Sequence, residues 1–451
     1  MWDLRQAAEF LGGKLVRPRG PYAASGAACD SREVQPGEVF VAIKGKCHDG
    51  HDFLPEAFSR GAVGAIVARD PGEGHNLILV EDVEAALWKL AAWRREQLPI
   101  PFVGVTGSFG KTTTKELLAK ALAVRYRTFR ARASYNTEIG VPLEILSIPN
   151  DAEVAVLELG AQAPGEIGRL TQLVRPWAGI ITGVGESHLE RLKNLEGVAD
   201  AKWELAEAIP EEGVLVVSWD HPELRARASR CAGVCLRFGS GPEADFFPRQ
   251  VRADDPQGVK FTAITPEGEL PVQLQLLGRH VATLACGALA AAWGLGVPLE
   301  VAAQALANVG PLPHRLQLHP APFGWVLDDC YNANPLSVRA ALRTLANLNL
   351  PVERRMALLG DMLELGPEED RYHREMVEEA RWQGVDALFA FGPRMSAAFS
   401  AWEGPGAAEP EDLPALVARV KEEAGRLPTL LLVKGSRGLA LERAVEALTT
   451  D

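Results

Sequence analysis

The chain has 451 residues, 47% hydrophobic and 24% charged, a globular-enzyme composition too long for one ordinary core, so two to four domains of roughly 100–200 residues are expected. With 59 acidic against 47 basic residues the formal charge is −12, which argues against broad attraction to nucleic acid or an anionic membrane. Any anionic substrate must then be held by local cations and helix N-termini.

The opening stretch MWDLRQAAEF carries charge from its third residue and lacks a secretory apolar core, which points to the cytoplasm. From Glu38 the pattern runs strand (EVFVAI), helix around Pro55 to Arg60, strand (GAVGAIVA), strand (LILV) and an amphipathic run from Val83 to Arg95. This small α/β unit ends at the proline-rich LPIPF, Leu98 to Phe102.

The next stretch, VTGSFGKTTTKE from Val105, resembles a phosphate-gripping loop but breaks the strict pattern, which would place glycine at Val105. The context is nonetheless strand (PFVGVTG), turn (GSFG) and a helix (KTTTKELLAKAL) with Leu and Ala at helical spacing. Backbone N–H groups and the helix N-terminus would face phosphates, Lys111 would add a point charge, and Thr112 is placed to bind magnesium. Gly107 and Gly110 supply the turn; the alternative is a glycine-rich turn without a ligand.

Apolar runs AEVAVLEL, AGIIT and VLVVS then alternate with helical stretches, as suits a parallel sheet covered on both faces. Ligands gather at the carboxyl ends of such strands, where Glu158 and, a few residues beyond the next strand, His188 stand. Either could be a solvated strand-end acid or an ordinary helix-terminal residue. By spacing alone, Lys202 in VADAKWELAEAI reads as a solvated surface lysine. The longest uncharged run, Val281 to Leu299, is diluted by Ala, Gly and Pro298 and reads as a buried helix rather than a membrane span. The six cysteines are scattered, and Cys231 with Cys235 lacks a second Cys/His pair for zinc, so buried free thiols are expected. Pro311 to Pro322 forms a second boundary, beyond which WVLDD, MALLG, ALFAFG and TLLLV read as strands of another doubly wound domain. The fold class is therefore α/β in three domains: 1–98, 99–312 with the P-loop parallel sheet, and 313–451, Rossmann-like.

The stretches GVTGSFGKTTTKE, SYNTEIGVP, LELGAQAPGEI, GESHLE, AKWEL, LPHRLQ, DDCYNANPLS, GDMLELG and KGSRG, with DSREVQPGEVFVAIKGKCHDGHDF before them, resemble the Mur ligases. These are the ATP-dependent amide-forming enzymes of peptidoglycan precursor synthesis. DDCYNANPLS and GDMLELG are most similar to the branch that adds D-alanyl-D-alanine to UDP-N-acetylmuramoyl-tripeptide. The resemblance implies that ATP phosphorylates the tripeptide's terminal carboxylate and that the dipeptide amine attacks the acyl phosphate. It implies a nucleotide loop of Thr106, Gly107, Ser108, Gly110, Lys111, Thr112 and Thr113, with Arg315 and Asp329 closing on the nucleotide. It implies magnesium held by Thr112, Glu158, His188 and a Lys202 carbamoylated by carbon dioxide, an anionic ligand where an ammonium has no acceptor.

By the same resemblance Asp30, Ser31, Arg32, His51, Asp52 and Phe53 form a UDP-sugar site in the N-terminal domain. Asn136 and Thr137 lie near the accepting carboxylate, and Asn332, Asn334, Asp361, Lys434, Ser436 and Arg437 bring the third domain onto the substrates. Lys434 and Arg437 could equally be solvated loop cations. Two departures stand out: Val281 and Leu284 replace asparagines usual after the family's histidine, which puts side-chain contacts to adenine in doubt, and Phe109 stands where small or polar residues are common. A monomer acting on small molecules is expected. The alternatives are another Mur or folylpolyglutamate-type ligase, or a P-loop NTPase switch.

Overall fold

The computed structural model describes residues 1–45, 47–132, 135–425 and 427–450; Lys46 and Ser134 of the quoted stretches, and Asp451, lie outside the described residues. Three principal sheets follow one another along the chain. The first has the strand order Lys14–Val16, Leu77–Leu79, Gly64–Val67, Glu38–Val41, Gly26–Ala28, antiparallel at its first pair and parallel thereafter. Helices Leu54–Ser59 and Val83–Glu96 match the amphipathic runs, the latter capped by Asp82 accepting from Ala85 N at 3.0 Å.

The second sheet is wholly parallel, in the order Val234–Phe238, Val214–Ser218, Ala178–Ile181, Phe102–Thr106, Val154–Glu158, Thr128–Arg130. Phe102–Thr106 lies inside it and is buried along its whole length, which is why it reads as a continuous apolar run. The helix His280–Gly294 accounts for the uncharged stretch: it is held between this sheet, the helix Lys111–Leu122 and a further three-stranded sheet, so nearly every face is covered. Among the described residues no helix is long and apolar enough to cross a membrane.

That three-stranded antiparallel sheet, Phe247–Arg252, Val259–Thr265 and Gly268–Leu274, departs from the expectation of parallel strands alone through this region. Val259–Thr265 alternates buried and less buried side chains, because one face lies on the core and the other meets solvent. The third principal sheet runs Gln317–Ala321, Gly324–Asp328, Thr429–Lys434, Arg354–Gly360, Ala387–Phe391, Gly406–Glu409, with only the first pair antiparallel.

Helix Gly140–Ser147 lies beyond the sequence boundary at 98 yet packs on the first sheet and on helix Val83–Glu96. Its Leu143 and Leu146 join Trp2, Val39 and Leu87 in one apolar cluster, and Trp2 Nε1 donates to Leu146 O at 3.0 Å. At about 1.5–3 kcal/mol for each fully buried leucine, those two side chains fasten the helix to the N-terminal core. All six cysteines are free, but only Cys286 and Cys330 are buried; Cys29, Cys231 and Cys235 are partly exposed and Cys47 is exposed.

Candidate active site

Strand Phe102–Thr106 hands over to helix Lys111–Leu122 through Gly107 and Gly110, with φ of 146° and 71°. A Cβ on Gly107 would sit 2.0 Å from Thr182 Oγ1, and one on Gly110 2.8 Å from both Leu284 methyls, so the turn admits no side chain at either place. Val105, where the strict pattern has glycine, is a buried mid-strand residue paired with Glu158 and Ile180. The turn begins after it.

The loop opens onto a cavity of about 1020 Å³ that all three domains line. Ser108, Gly110, Lys111, Thr112 and Thr113 face it, whereas Thr106 and Gly107 lie behind as the loop's support. Lys111 Nζ donates to Gly107 O at 2.9 Å; burial lowers its pKa, Glu158 opposes that fall and Arg315 adds to it.

Glu158 ends the adjacent strand, and both its oxygens are engaged. Oε2 accepts from Thr112 Oγ1 at 2.8 Å and Oε1 from Asn136 Nδ2 at 2.7 Å. Arg315 Nη2 donates to the same Thr112 hydroxyl at 2.9 Å, so a residue from the far side of the cavity meets the loop. Its guanidinium lies over the Tyr331 ring, 4.2 Å from the centroid. Thr137 lines the cavity, and its Oγ1 accepts at 3.2 Å from the N of Gly140, the first residue of helix Gly140–Ser147.

Lys202 overturns the solvated-surface expectation. Helix Leu195–Glu207 buries Ala201, Lys202 and Trp203 together, and Lys202 is 1% exposed. Among the described residues its Nζ donates only to Ala161 O, at 3.3 Å, and burial followed by the repulsion of Lys111 lowers its pKa to about 7. His188, φ 54°, starts the helix Leu189–Leu192 and lines the cavity; its Nδ1 pairs with Glu364. Burial lowers its pKa, Glu364 raises it, and Lys202 lowers it again.

From the third domain, Asp329, Asn332, Asn334 and Lys434 reach the cavity. Lys434 is buried, Nζ donating to Asp329 Oδ2 at 2.5 Å and Asn332 O at 3.0 Å, so it is no solvated cation. Asn334 caps helix Pro335–Asn347 and sends Nδ2 to Ser108 O at 3.3 Å. Arg437 is exposed, bound to Glu442 at 3.0 Å and 6.0 Å from the Tyr331 centroid. Ser436 is buried behind the cavity, its Oγ accepting from Leu363 N at 2.9 Å.

Asp361 does not line the cavity. It is buried, and its Oδ1 accepts from Met395 N at 2.7 Å, holding the start of helix Pro393–Ala398. Within GDMLELG it is Glu364, not singled out from the sequence, that meets His188. Gln162, also missed, donates to Glu364 from 3.4 Å.

The N-terminal group stands apart from this cavity. Asp30 and Arg32 pair with each other at 2.6 Å, Ser31 Oγ donates to Glu56 Oε2 at 2.5 Å, and Asp52 lies 3.5 Å from Arg69. Phe53 packs edge-on against His48 at 6.1 Å. His51 is consumed by the fold: Nδ1 meets Asp49 at 2.6 Å and Nε2 accepts from Ala68 N at 2.9 Å. Val281 and Leu284 line the cavity with Leu276 and Leu277 in place of amides, and Phe109 packs on His221 at 5.7 Å.

The chain matches three family descriptions: Mur ligase family, catalytic domain, over residues 24–99; Mur ligase middle domain, over 105–292; and Mur ligase, glutamate ligase domain, over 314–437. It is 34% identical to the UDP-N-acetylmuramoyl-tripeptide--D-alanyl-D-alanine ligases of Bacillus subtilis and Escherichia coli, covering 99% of this chain and 98% of each relative. A crystal structure of MurF from Acinetobacter baumannii superposes with a TM-score of 0.85 at 30% identity, over 99% of this chain and 98% of that one. MurF from Thermotoga maritima in complex with ADP gives 0.78 at 28% identity, over 94% and 96%.

Proposed function

The chain belongs to the Mur ligase family, and from that premise we infer that it is the ATP-dependent ligase that joins D-alanyl-D-alanine to UDP-N-acetylmuramoyl-tripeptide in peptidoglycan synthesis. The tripeptide's terminal carboxylate takes the γ-phosphoryl group of ATP, ADP leaves, the dipeptide's amine attacks the acyl phosphate, and phosphate and a proton depart as the amide forms. No protein nucleophile is needed.

The difficulty is electrostatic, because an anion must approach an anion. Two unit charges 4 Å apart repel by about 4 kcal/mol at an effective dielectric near 20, a cost that fixed cations remove. Lys111 and Arg315 supply them, and the backbone from Gly107 to Thr112 at the helix start cradles phosphate. The observation that carries the reading is the meeting of Thr112 with Glu158 and Arg315, three segments converging on one hydroxyl at the loop.

The donor set fits magnesium: Thr112 and Glu158 offer hard oxygens 2.8 Å apart, with His188 across the cavity. Bound magnesium supplies charge neutralisation of the phosphate oxygens. Lys202 fits the carbamate role because its amine, with a pKa near 7, is about half neutral at neutral pH, and that fraction is free to add carbon dioxide with loss of a proton. The resulting anion would stand beside Lys111 in place of a buried like charge. We assign Asn136, bonded to Glu158, and Thr137 to the accepting carboxylate, and the Asp30–Arg32 and His51–Phe53 segments to the UDP-sugar, Ser31 being tied to Glu56 of the helix that follows Phe53. All three domains of the chain line the cavity, and a monomer working in the cytoplasm is part of the proposal.

Phosphate release from ATP tests the reading, measured with UDP-N-acetylmuramoyl-tripeptide alone, D-alanyl-D-alanine alone, and both. Rapid release is expected only with both; equal turnover with neither would identify a nucleotide switch instead.

A further inference from the structure

We propose that His314, Asp328 and Cys330, with His319 as fourth ligand, form a site for a transition-metal ion of the zinc class that staples the segment entering the third sheet to that sheet. None of the four lines the cavity described above. Candidate ligand atoms of His314, Asp328 and Cys330 all lie within 4.8 Å of one another. His314 Nδ1 is 2.8 Å from Asp328 Oδ2 and 3.7 Å from Cys330 Sγ. His319 Nε2 is 3.5 Å from Asp328 Oδ2. A tetrahedral ion with bonds of about 2.0–2.3 Å has ligand-to-ligand edges of about 3.3–3.6 Å, so His314, Asp328 and Cys330 need only small side-chain adjustments to hold one, and His319, which reaches Asp328 but stands outside that close group, turns in to complete it.

Local structure brings the four together. Strands Gln317–Ala321 and Gly324–Asp328 pair antiparallel with Gln317 opposite Asp328 and His319 opposite Val326. His319 and Asp328 therefore share a sheet face as diagonal neighbours. Cys330 follows two residues on, and His314 arrives from the entering segment, its carbonyl accepting from Tyr331 N at 3.2 Å.

Hydrogen bonding pairs His314 with Asp328 but leaves His319 unsatisfied. Asp328 Oδ1 accepts from Cys330 N at 3.2 Å, which leaves Oδ2 facing two imidazoles. The buried His319 Nε2 has no hydrogen-bond partner among the described residues. A cation satisfies the carboxylate, both ring nitrogens and the sulfur at once. Sulfur, two imidazoles and one carboxylate form a borderline-soft set that selects zinc-class ions over magnesium or calcium. Asp328 and Cys330 are 1% exposed, while the His314 and His319 side chains are 35% and 30% exposed, so the inner ligands are dry and the outer two give an entry path. Capture breaks the Cys330 S–H bond, forms a metal–sulfur bond and releases the proton to solvent.

The location gives the ion a consequence. His314 and Leu316 both hold positive φ, 57° and 50°, and Arg315 between them is the residue that reaches Thr112. Fixing His314 to the sheet fixes the backbone that aims Arg315 at the nucleotide loop.

The full chain, stripped with a chelator, is titrated with Zn²⁺ against a chromophoric chelator and separately loaded with Co²⁺. One equivalent should bind, and Co²⁺ should give a thiolate-to-metal charge-transfer band that disappears in Cys330→Ser. His319→Gln, at a partly exposed position that tolerates change, should weaken Zn²⁺ binding at least about tenfold while melting like the stripped wild type. The absence of a band in the wild type, its survival in Cys330→Ser, or unchanged affinity in His319→Gln would each overturn the site.

Discussion

Replacing Lys202 with methionine should make the protein more stable and nearly inactive. The amine's pKa falls from 10.5 to about 7 on folding, chiefly through burial. Between those values the unfolded chain binds the extra proton, so stability rises with pH across the window; the penalty is complete below about pH 7 and gone above 10.5. At ~1.4 kcal/mol per unit, the buried lysine costs the folded state about 4 kcal/mol at pH 7. Methionine keeps most of the volume and the apolar stem but carries no charge to desolvate. Denaturant melts at pH 7 in carbon-dioxide-depleted buffer should therefore show Lys202→Met ahead of the wild type by about 2–4 kcal/mol, with the gap closing towards pH 10. Bicarbonate should stabilise the wild type alone, since only an amine forms the carbamate. Ligase activity should be lost in Lys202→Met and in Lys202→Ala, with partial recovery of the latter by short carboxylates. A methionine variant no more stable than the wild type at pH 7 would refute the burial argument, and full activity in Lys202→Ala would refute the carbamate.

Glu364→Gln removes the carboxylate that orients the His188 ring, so turnover should fall about ten- to hundredfold with KM for ATP nearly unchanged in steady-state assays. Asp361→Ala should behave otherwise: losing the acceptor of Met395 N costs about 1–3 kcal/mol in denaturant melts, with kinetics unaltered, and a raised KM for the dipeptide would restore Asp361 to the substrate site. Gly110→Ala forces a side chain into a left-handed turn 2.8 Å from the Leu284 methyls and should weaken nucleotide binding at least about tenfold by calorimetry. Adding Leu284→Ala should recover part of that loss; wild-type affinity in the single variant would show the loop tolerates a side chain.

What sequence reading reached depended on whether the signal was local. Lys111 to Leu122 was legible to the residue because Gly-Lys-Thr follows an apolar strand and the helix carries its own periodicity. Glu158 stood out as an acid ending a run of apolar residues. Spacing alone makes Lys202 a surface lysine, because a helix's polar position looks the same whether it faces water or a neighbouring lysine; only packing against helix Glu166–Val174 and the sheet decides. Glu364 escaped for a related reason, since its partner His188 lies 176 residues away and Asp361 in the same motif looked equally acidic. The antiparallel sheet at 247–274 hid behind strands with proline, arginine and lysine on the open face.

The helix Gly140–Ser147 couples two parts of the chain that a linear map separates. Because Leu143 and Leu146 complete the N-terminal core, the segment carrying Asn136 and Thr137 travels with the first domain as well as the second. Arg94 Nη2, donating to Ile148 O at 2.7 Å, closes the same seam. A truncated fragment ending at residue 98 would expose a greasy strip and self-associate, and limited proteolysis should cut between the second and third lobes before it frees the first.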